Sequence, residues 1–234
     1  MTELHIHNFL STSDVEGPGR RACVWVQGCS IRCPGCFNSH MWARAGGFTV
    51  EVEELASVIE TTPGIEGVTF LGGEPFEQAE ALAELGTRVR AAGLSVLTFS
   101  GYEYDVLVNS PRDDWGRLLS VTDLLIDGPY DRTQPDQERP WVGSRNQGFR
   151  YLSPRYAHLA SQLDSIPDGL EVRIASDGQV FLNGMCSTDF LNVMRREVGR
   201  RPTADASRRP DSFADITLGA GGPSEVPIQP APDT

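Results

Sequence analysis

Short, dense apolar runs alternate along this chain with longer stretches in which apolar residues recur every three or four positions. The dense runs are Ala22–Gln27 (ACVWVQ), Gly67–Leu71 (GVTFL), Leu94–Phe99 (LSVLTF) and Asp123–Ile126 (DLLI). Each has the length and continuity of a strand buried on both faces. Between them, Thr49 caps a helix predicted over Val50–Thr61, with Leu55, Val58 and Ile59 on one face. Pro75–Ala92 has near-helical apolar spacing and stops at Gly93. Shorter helical pieces fit Tyr104–Val108 and Trp115–Leu119, and Asp127-Gly-Pro closes the fourth run. Buried strands alternating with amphipathic helices predict an α/β fold built on a parallel sheet or barrel.

After Gly128 the pattern lapses. Gly128–Arg150 holds three prolines and many polar residues, a length of irregular chain that in a compact domain is often functional. Leu170–Leu182 alternates around Asp177-Gly178, a hairpin signature. A last helix is expected over Ser187–Val198. From Arg200 the chain is Pro, Ala, Gly, Asp and Ser with one aromatic, Phe213, the composition of a disordered tail. The expected organisation is one domain over 1–199 and a tail over 200–234, without internal repeats.

Composition narrows the chemistry. The 234 residues suffice for one well-buried domain. A net charge of −12 argues against a general nucleic-acid binder, which needs clustered positive charge. All 20 basic residues are arginine, which excludes a Schiff-base lysine and a Walker phosphate loop. No apolar run approaches the ~20 residues of a membrane helix. The start, Met1-Thr-Glu-Leu-His, lacks a basic region followed by an apolar core. A cytoplasmic protein without membrane or nucleic-acid partners is the expectation. Five cysteines, three of them bunched, suit a metal site better than a disulfide framework.

The bunched cysteines carry the main signal. Cys29-Ser-Ile-Arg-Cys33-Pro-Gly-Cys36 offers three thiolates to one centre, with Pro34-Gly35 suited to the tight turn this requires. A closed zinc site is normally four-coordinate, and an electron-transfer 4Fe–4S cluster takes four cysteines. Three ligands leave a corner free for a substrate. The alternative is a zinc site completed by His40, Cys23 or Cys186. Arg32, inside the loop, either offsets the charge of a thiolate-ligated cluster or is merely solvated.

The segment from Gly17 to Asn38, through GPGRRACVWVQGCSIRCPGCFN, resembles the radical S-adenosylmethionine superfamily, and within it the activating proteins of anaerobic ribonucleotide reductase. The resemblance implies a partial (β/α) barrel of the radical S-adenosylmethionine type, followed by a hairpin–helix extension. It implies one 4Fe–4S cluster on Cys29, Cys33 and Cys36, with S-adenosylmethionine chelating the open iron. Cleavage would give methionine and a 5′-deoxyadenosyl radical that takes a glycine hydrogen from a partner glycyl-radical enzyme. A flavodoxin or ferredoxin-type protein would donate the electron.

Leu71-Gly72-Gly73-Glu74-Pro75, at a strand-to-helix junction, is similar to the family's turn that grips the methionine amino group. Its glycines allow close backbone approach, and its proline suits a first helical turn. Thr98–Tyr102, Asp123–Asp131 and Gly143–Gln147 also resemble stretches of the activating proteins. Sites of α/β barrels gather at carboxyl ends of strands, which makes Ser100 and Asp127 candidates to face the cofactor; the alternative is ordinary turn chemistry. Many members carry an aromatic residue just before the third cysteine. Here that position is Gly35 and the aromatic is Phe37, so Gly35, Cys36 and Phe37 are the candidates for adenine contact. The resemblance covers Glu16–Gln147 and fades beyond.

Other residues have plainer readings. Cys23 fits a small core residue, Cys186 a structural one, and His5 and His7 an exposed strand face. Trp25, Trp42, Trp115 and Trp141 fit packing. Arg195, Arg196, Arg200 and Arg201 suit a helix end, or a docking patch for an acidic partner. Two alternatives to an activase stand: a radical enzyme acting directly on a peptide or metabolite, and a non-enzymatic zinc or iron–sulfur module.

Overall fold

A computed structural model describes residues 2–174 and 180–185, with Phe190 and Val193 beyond them. Seven strands form one sheet: β1 (Glu3–Ser13), β2 (Arg21–Val26), β3 (Phe48–Glu51), β4 (Gly67–Gly72), β5 (Ser95–Phe99), β6 (Leu124–Asp127) and β7 (Gly148–Tyr151), in the order β3-β1-β2-β4-β5-β6-β7. The central strands β2, β4, β5 and β6 run parallel, while β1, β3 and β7 are antiparallel to their neighbours. The helices are α1 (Val52–Thr61), α2 (Ala79–Ala91), α3 (Tyr104–Val108) and α4 (Asp113–Val121). The result is a mixed α/β fold with a parallel-rich central sheet. Among the described residues no helix is long and apolar enough to cross a membrane.

The two-residue period of the strands sorts their side chains. Val24, Val68, Phe70, Val96 and Leu125 face one way and join Leu55, Ile59, Leu82, Leu85 and Leu118 of the helices in the main core. Each such side chain contributes roughly 1.5–3 kcal/mol on burial. The alternate residues Cys23, Trp25 and Leu71 face the other way, against Met41 from the cysteine-bearing segment. Farther along that face Leu97, Leu124 and Ile126 pack under Trp141, Val142 and Tyr156.

Several expectations change. The chain does not enter a helix at Val50: residues 48–51 pair with Ile6–Glu3 of β1, and α1 starts at Val52 with Glu51 at its cap position. The capping role expected of Thr49 is therefore absent. Pro75–Gln78 is a 3-10 turn rather than the first turn of α2, and α4 is longer than the piece expected at Trp115–Leu119. Gly93, with φ at +82°, ends α2 as expected. His7 is not on an exposed face; it is half-buried, its Nδ1 2.9 Å from Gln27 Oε1. Strands β8 (Leu170–Ile174) and β9 (Val180–Gly184) pair antiparallel as the hairpin signature required. Its Asp177-Gly178 turn, Cys186 and the tail lie outside the described residues, as does the helix expected over Ser187–Val198 apart from Phe190 and Val193, which are helical.

Arg21 anchors the amino ends of the parallel strands. It is fully buried and donates to Thr69 Oγ1 at 2.8 Å, Ser95 Oγ at 2.9 Å, Tyr156 Oη at 2.9 Å and the Val68 carbonyl at 2.6 Å. Its removal strands buried acceptors and opens a cavity, costs that together reach about 3 kcal/mol. Arg21→Ala is expected to lower the unfolding free energy by that amount, read as a lower denaturant midpoint with an unchanged m value.

Candidate functional site

The carboxyl ends of β2, β4, β5 and β6 open along one edge of the sheet. Beyond β2 the chain enters the cysteine loop, which main-chain bonds close at its base. Gly28 N–H donates to the Met41 carbonyl at 2.8 Å, and Cys29 N–H to that of Trp42 at 3.1 Å. Within the loop, Cys36 N–H donates to the Cys33 carbonyl at 3.0 Å across Pro34-Gly35, and Gly35 has φ at +83°. Proline then a residue with positive φ is the requirement of a type II turn, and it brings Cys33 and Cys36 to one side. Arg32 adopts φ of +52°, uncommon for a residue with a side chain.

All three cysteines are unpaired and partly exposed. Burial pushes the Cys29 thiol up, while backbone amides at Arg32 and Ile31 pull it down and the Glu74 and Glu77 carboxylates push it further up. Burial likewise raises the Cys36 thiol, with the Asn38 amide and the Trp42 indole acting the other way. Thiols ringed by N–H donors are suited to metal ligation, because those donors stabilise sulfur that has lost its proton. Among the described residues no three His, Cys, Asp or Glu side chains gather closely enough to hold a single ion. Cys23, considered above as a completing ligand, is fully buried in β2 with its thiol toward the Arg21 carbonyl. His40 is partly buried; burial, with His7 4.9 Å away ring to ring, pushes its pKa down to about 4.

The glycine turn after β4 is bonded directly to this loop. Gly73 N–H donates to the Val26 carbonyl at 2.8 Å, and Glu74 N–H to the Gly28 carbonyl at 2.8 Å. A Cβ on Gly73 would overlap the Gly28 carbonyl oxygen, and Gly72 has φ at +103°. Glu77, one turn on, accepts from Ser30 N–H at 2.6 Å, adding a side-chain tie to the cysteine loop.

Glu74 is 1% exposed and its carboxylate joins three elements. Oε1 accepts from Phe76 N–H at 2.9 Å and Ser100 Oγ at 3.0 Å, and Oε2 from Gly101 N–H at 2.8 Å. Burial raises its pKa to about 7 against the pull of those donors. Ser100 is spent in the same network, accepting from Tyr102 N–H at 3.1 Å. Asp127 accepts from Tyr104 N–H at 2.7 Å and Arg150 Nε at 2.8 Å, tying β6 to α3 and β7. Ser100 and Asp127 thus sit at the expected edge, engaged in the turn chemistry considered as their alternative. Phe37 is 58% exposed beside Cys36.

The irregular segment after β6 is internally wired. Arg139 donates to Asp136 Oδ2 at 2.6 Å and to the carbonyls of Gln147 and Arg145, and Gln147 Oε1 accepts from Gly143 N–H at 2.8 Å. This strap carries Tyr130 and Arg132 against the cysteine loop: a Cβ at Gly35 would lie 3.4 Å from Arg132 Cδ and 3.6 Å from Tyr130 Cε1. Sequence reading missed Trp42, Glu77, Tyr130 and Arg132. Only Glu77, three residues after Glu74 at a helix start, had a spacing that signals its position.

This site and sheet place the chain in a known class. A family model described as a 4Fe-4S single cluster domain matches residues 15–150, more than half of the chain, and the chain belongs to that family, among the radical S-adenosylmethionine activating enzymes. The particular likeness is to anaerobic ribonucleoside-triphosphate reductase-activating proteins. That of Salmonella typhi is 28% identical over 157 residues, covering 64% of this chain and 99% of its own. That of Vibrio cholerae is 30% identical over 152 residues, covering 62% and 96%. The pyruvate formate-lyase-activating enzyme of Clostridium pasteurianum is 33% identical over 127 residues, covering 52% and 50%.

Proposed function

We propose that this chain activates a glycyl-radical enzyme, most simply an anaerobic ribonucleoside-triphosphate reductase, by reductive cleavage of S-adenosylmethionine. One observation carries the reading: the three-cysteine loop and the Gly72-Gly73-Glu74 turn are hydrogen-bonded to each other at the carboxyl ends of parallel strands. The donor set fits a 4Fe–4S cluster on Cys29, Cys33 and Cys36, with one iron left for substrate. A cluster held by these three thiolates would supply the one electron that breaks the carbon–sulfur bond to the 5′ carbon, giving methionine and a 5′-deoxyadenosyl radical.

The protein's own residues do the positioning. Gly72 and Gly73 let backbone approach the methionine end of the cosubstrate. Glu74 fixes that turn against Ser100 and Gly101, and offers negative charge to the amino group. Gly35, Cys36 and Phe37 line the adenine side, with Phe37 excluding water when it is covered. Ser100 and Asp127 hold the rim. A radical formed there would take a hydrogen atom from a glycine Cα of the partner, giving 5′-deoxyadenosine and a glycyl radical. A cavity of about 600 Å³, bordered by Gly19, Glu66, Trp141 and Tyr156, lies at the amino ends of the strands. It does not open on the cysteine loop.

We further propose a radical S-adenosylmethionine unit of the partial-barrel type within 1–199, with 200–234 outside it. A cytoplasmic location, where thiols remain reduced, and a flavodoxin or ferredoxin-type donor complete the proposal, with no nucleic-acid or membrane partner. The test mixes reconstituted, reduced protein anaerobically with S-adenosylmethionine and a candidate reductase. A glycyl doublet in the EPR spectrum, with 5′-deoxyadenosine formed, is expected. Cofactor cleavage with no protein radical on any glycyl-radical enzyme tried would sink the activase assignment.

A further inference from the structure

We propose that Trp42 and Arg132, which belong to neither motif, stabilise the reduced state of the cluster at the Cys33–Cys36 turn and so set its reduction potential. The inference rests on the cluster assignment above and adds to it two residues that no spacing pattern singles out.

Two independent observations meet at this turn. The first is a buried donor: the Trp42 indole Nε1 is shielded from solvent and has no conventional hydrogen-bond partner. Its side chain is the donor that acts on the Cys36 sulfur. Trp42 is also held in place, because its carbonyl accepts the Cys29 N–H at 3.1 Å and its own N–H donates to the Ser39 carbonyl at 3.2 Å. One residue therefore grips the loop at Cys29 by its backbone and faces Cys36 with its side chain. An orphaned buried N–H costs about 1–3 kcal/mol; a sulfur carrying negative charge is the acceptor that relieves it.

The second observation is a cation from another part of the chain. The Arg132 stem lies across Gly35, its Cδ 3.4 Å from where a Cβ would be. The guanidinium begins one bond farther out. Among the described residues Arg132 has no ion-pair partner, although the chain is strongly acidic. Its backbone is fixed by the neighbouring Asp131, which accepts from Thr133 and Gln134 and whose N–H donates to Ser144 Oγ at 3.0 Å.

The opposite side of the loop is acidic. Glu74 and Glu77 both act on Cys29 as negative charges. Reduction adds one more negative charge, which a buried N–H donor and a cation beside the Cys33–Cys36 turn would balance. Hydrogen bonds to sulfur and nearby charge are recognised levers on cluster potentials.

The test is an EPR-monitored redox titration of anaerobically reconstituted protein, with iron and sulfide content measured on each sample. Trp42→Phe keeps the ring and removes the N–H; Arg132→Gln removes the charge; Arg132→Lys restores it. Each of the first two is expected to reduce the reduced-to-oxidised ratio at fixed potential by about tenfold, a fall of ~59 mV for a one-electron couple. Arg132→Lys recovers most of that, and Arg117→Gln on α4 leaves the midpoint unchanged. Midpoints equal to wild type in fully loaded Trp42→Phe and Arg132→Gln overturn the proposal. Should Trp42→Phe load poorly, Arg132→Gln, on the exposed strap, decides alone. Wild-type protein that loads no cluster counts against the functional reading itself, a different result.

Discussion

Cys33→Ala protein is expected to hold no intact cluster after anaerobic reconstitution and to form no 5′-deoxyadenosine above a cluster-free control. The loop explains why this loss is chemical rather than structural. The turn that presents Cys33 and Cys36 is closed by main-chain atoms, Cys36 N–H to the Cys33 carbonyl, and needs no sulfur at position 33. The loop's base is closed at Gly28 and Cys29, and its side is held through Ser30 and Glu77. Alanine at 33 leaves all of this in place and removes only a ligand. Two thiolates then remain for a cluster that three already hold at the minimum. The control is Cys23→Ala: that thiol is fully buried in β2 and directed to the Arg21 carbonyl. Because that thiol is bonded within its own strand, the variant is expected to load normally at a stability cost of about 1 kcal/mol for the small cavity. Iron and sulfide analysis separates the two variants. Cys33→Ala that retains iron and sulfide and still cleaves the cosubstrate would overturn the ligand assignment.

The cysteine loop was legible because its three thiols are neighbours in sequence, so a spacing that points to one shared centre is visible without the fold. The parallel strands were legible for a related reason: strands covered on both faces must be apolar throughout, as Ala22–Val26 and Leu124–Ile126 are. The antiparallel margin was not. β3 has only four residues and runs straight into α1, so Val50 read as the start of the helix when a strand pairing holds it. β7 looked irregular because Gly148–Tyr151 is only partly buried and its partner, β6, lies more than twenty residues earlier. The strap after β6 is ordered by Arg139 bonding to carbonyls up to eight residues away, an arrangement with no periodic signature. Trp42 and Arg132 were invisible for that reason too: their relation to the cysteines comes from loop closure and strap position, not from spacing.

Glu74 is where motif and geometry part, and replacing it should separate cosubstrate binding from cluster loading. A carboxylate has about four acceptor positions, and three of those on Glu74 are taken by Phe76, Ser100 and Gly101. Its first effect is therefore to lock the ends of β4 and β5 to one another; its remaining capacity and its charge are what an amino group can use. Glu74→Gln keeps shape but turns an N–H₂ toward one of those three donors, which leaves a buried donor unpaired at about 1–3 kcal/mol. Iron and sulfide content should be unaffected, since none of the three thiols hydrogen-bonds this side chain and its charge, which disfavours the Cys29 thiolate, is removed. S-adenosylmethionine affinity should fall by roughly 10–100-fold, the loss of a charge-assisted hydrogen bond of about 1.5–3 kcal/mol. The pH dependence supplies a second readout. Burial raises the Glu74 pKa to about 7 from 4.5, so the folded protein holds this proton more tightly than the unfolded chain. Its stabilising contribution is complete below pH 4.5 and is lost as pH rises through about 7. Cosubstrate-free wild type should therefore lose thermal stability across that window relative to Glu74→Gln, whose side chain does not titrate. A positive amino group held beside Glu74 favours its ionised form, so affinity should strengthen through the same window in wild type more than in Glu74→Gln. Equal affinity and parallel pH profiles in the two proteins would confine Glu74 to joining the strand ends, and would leave the glycine backbone to hold the cosubstrate alone.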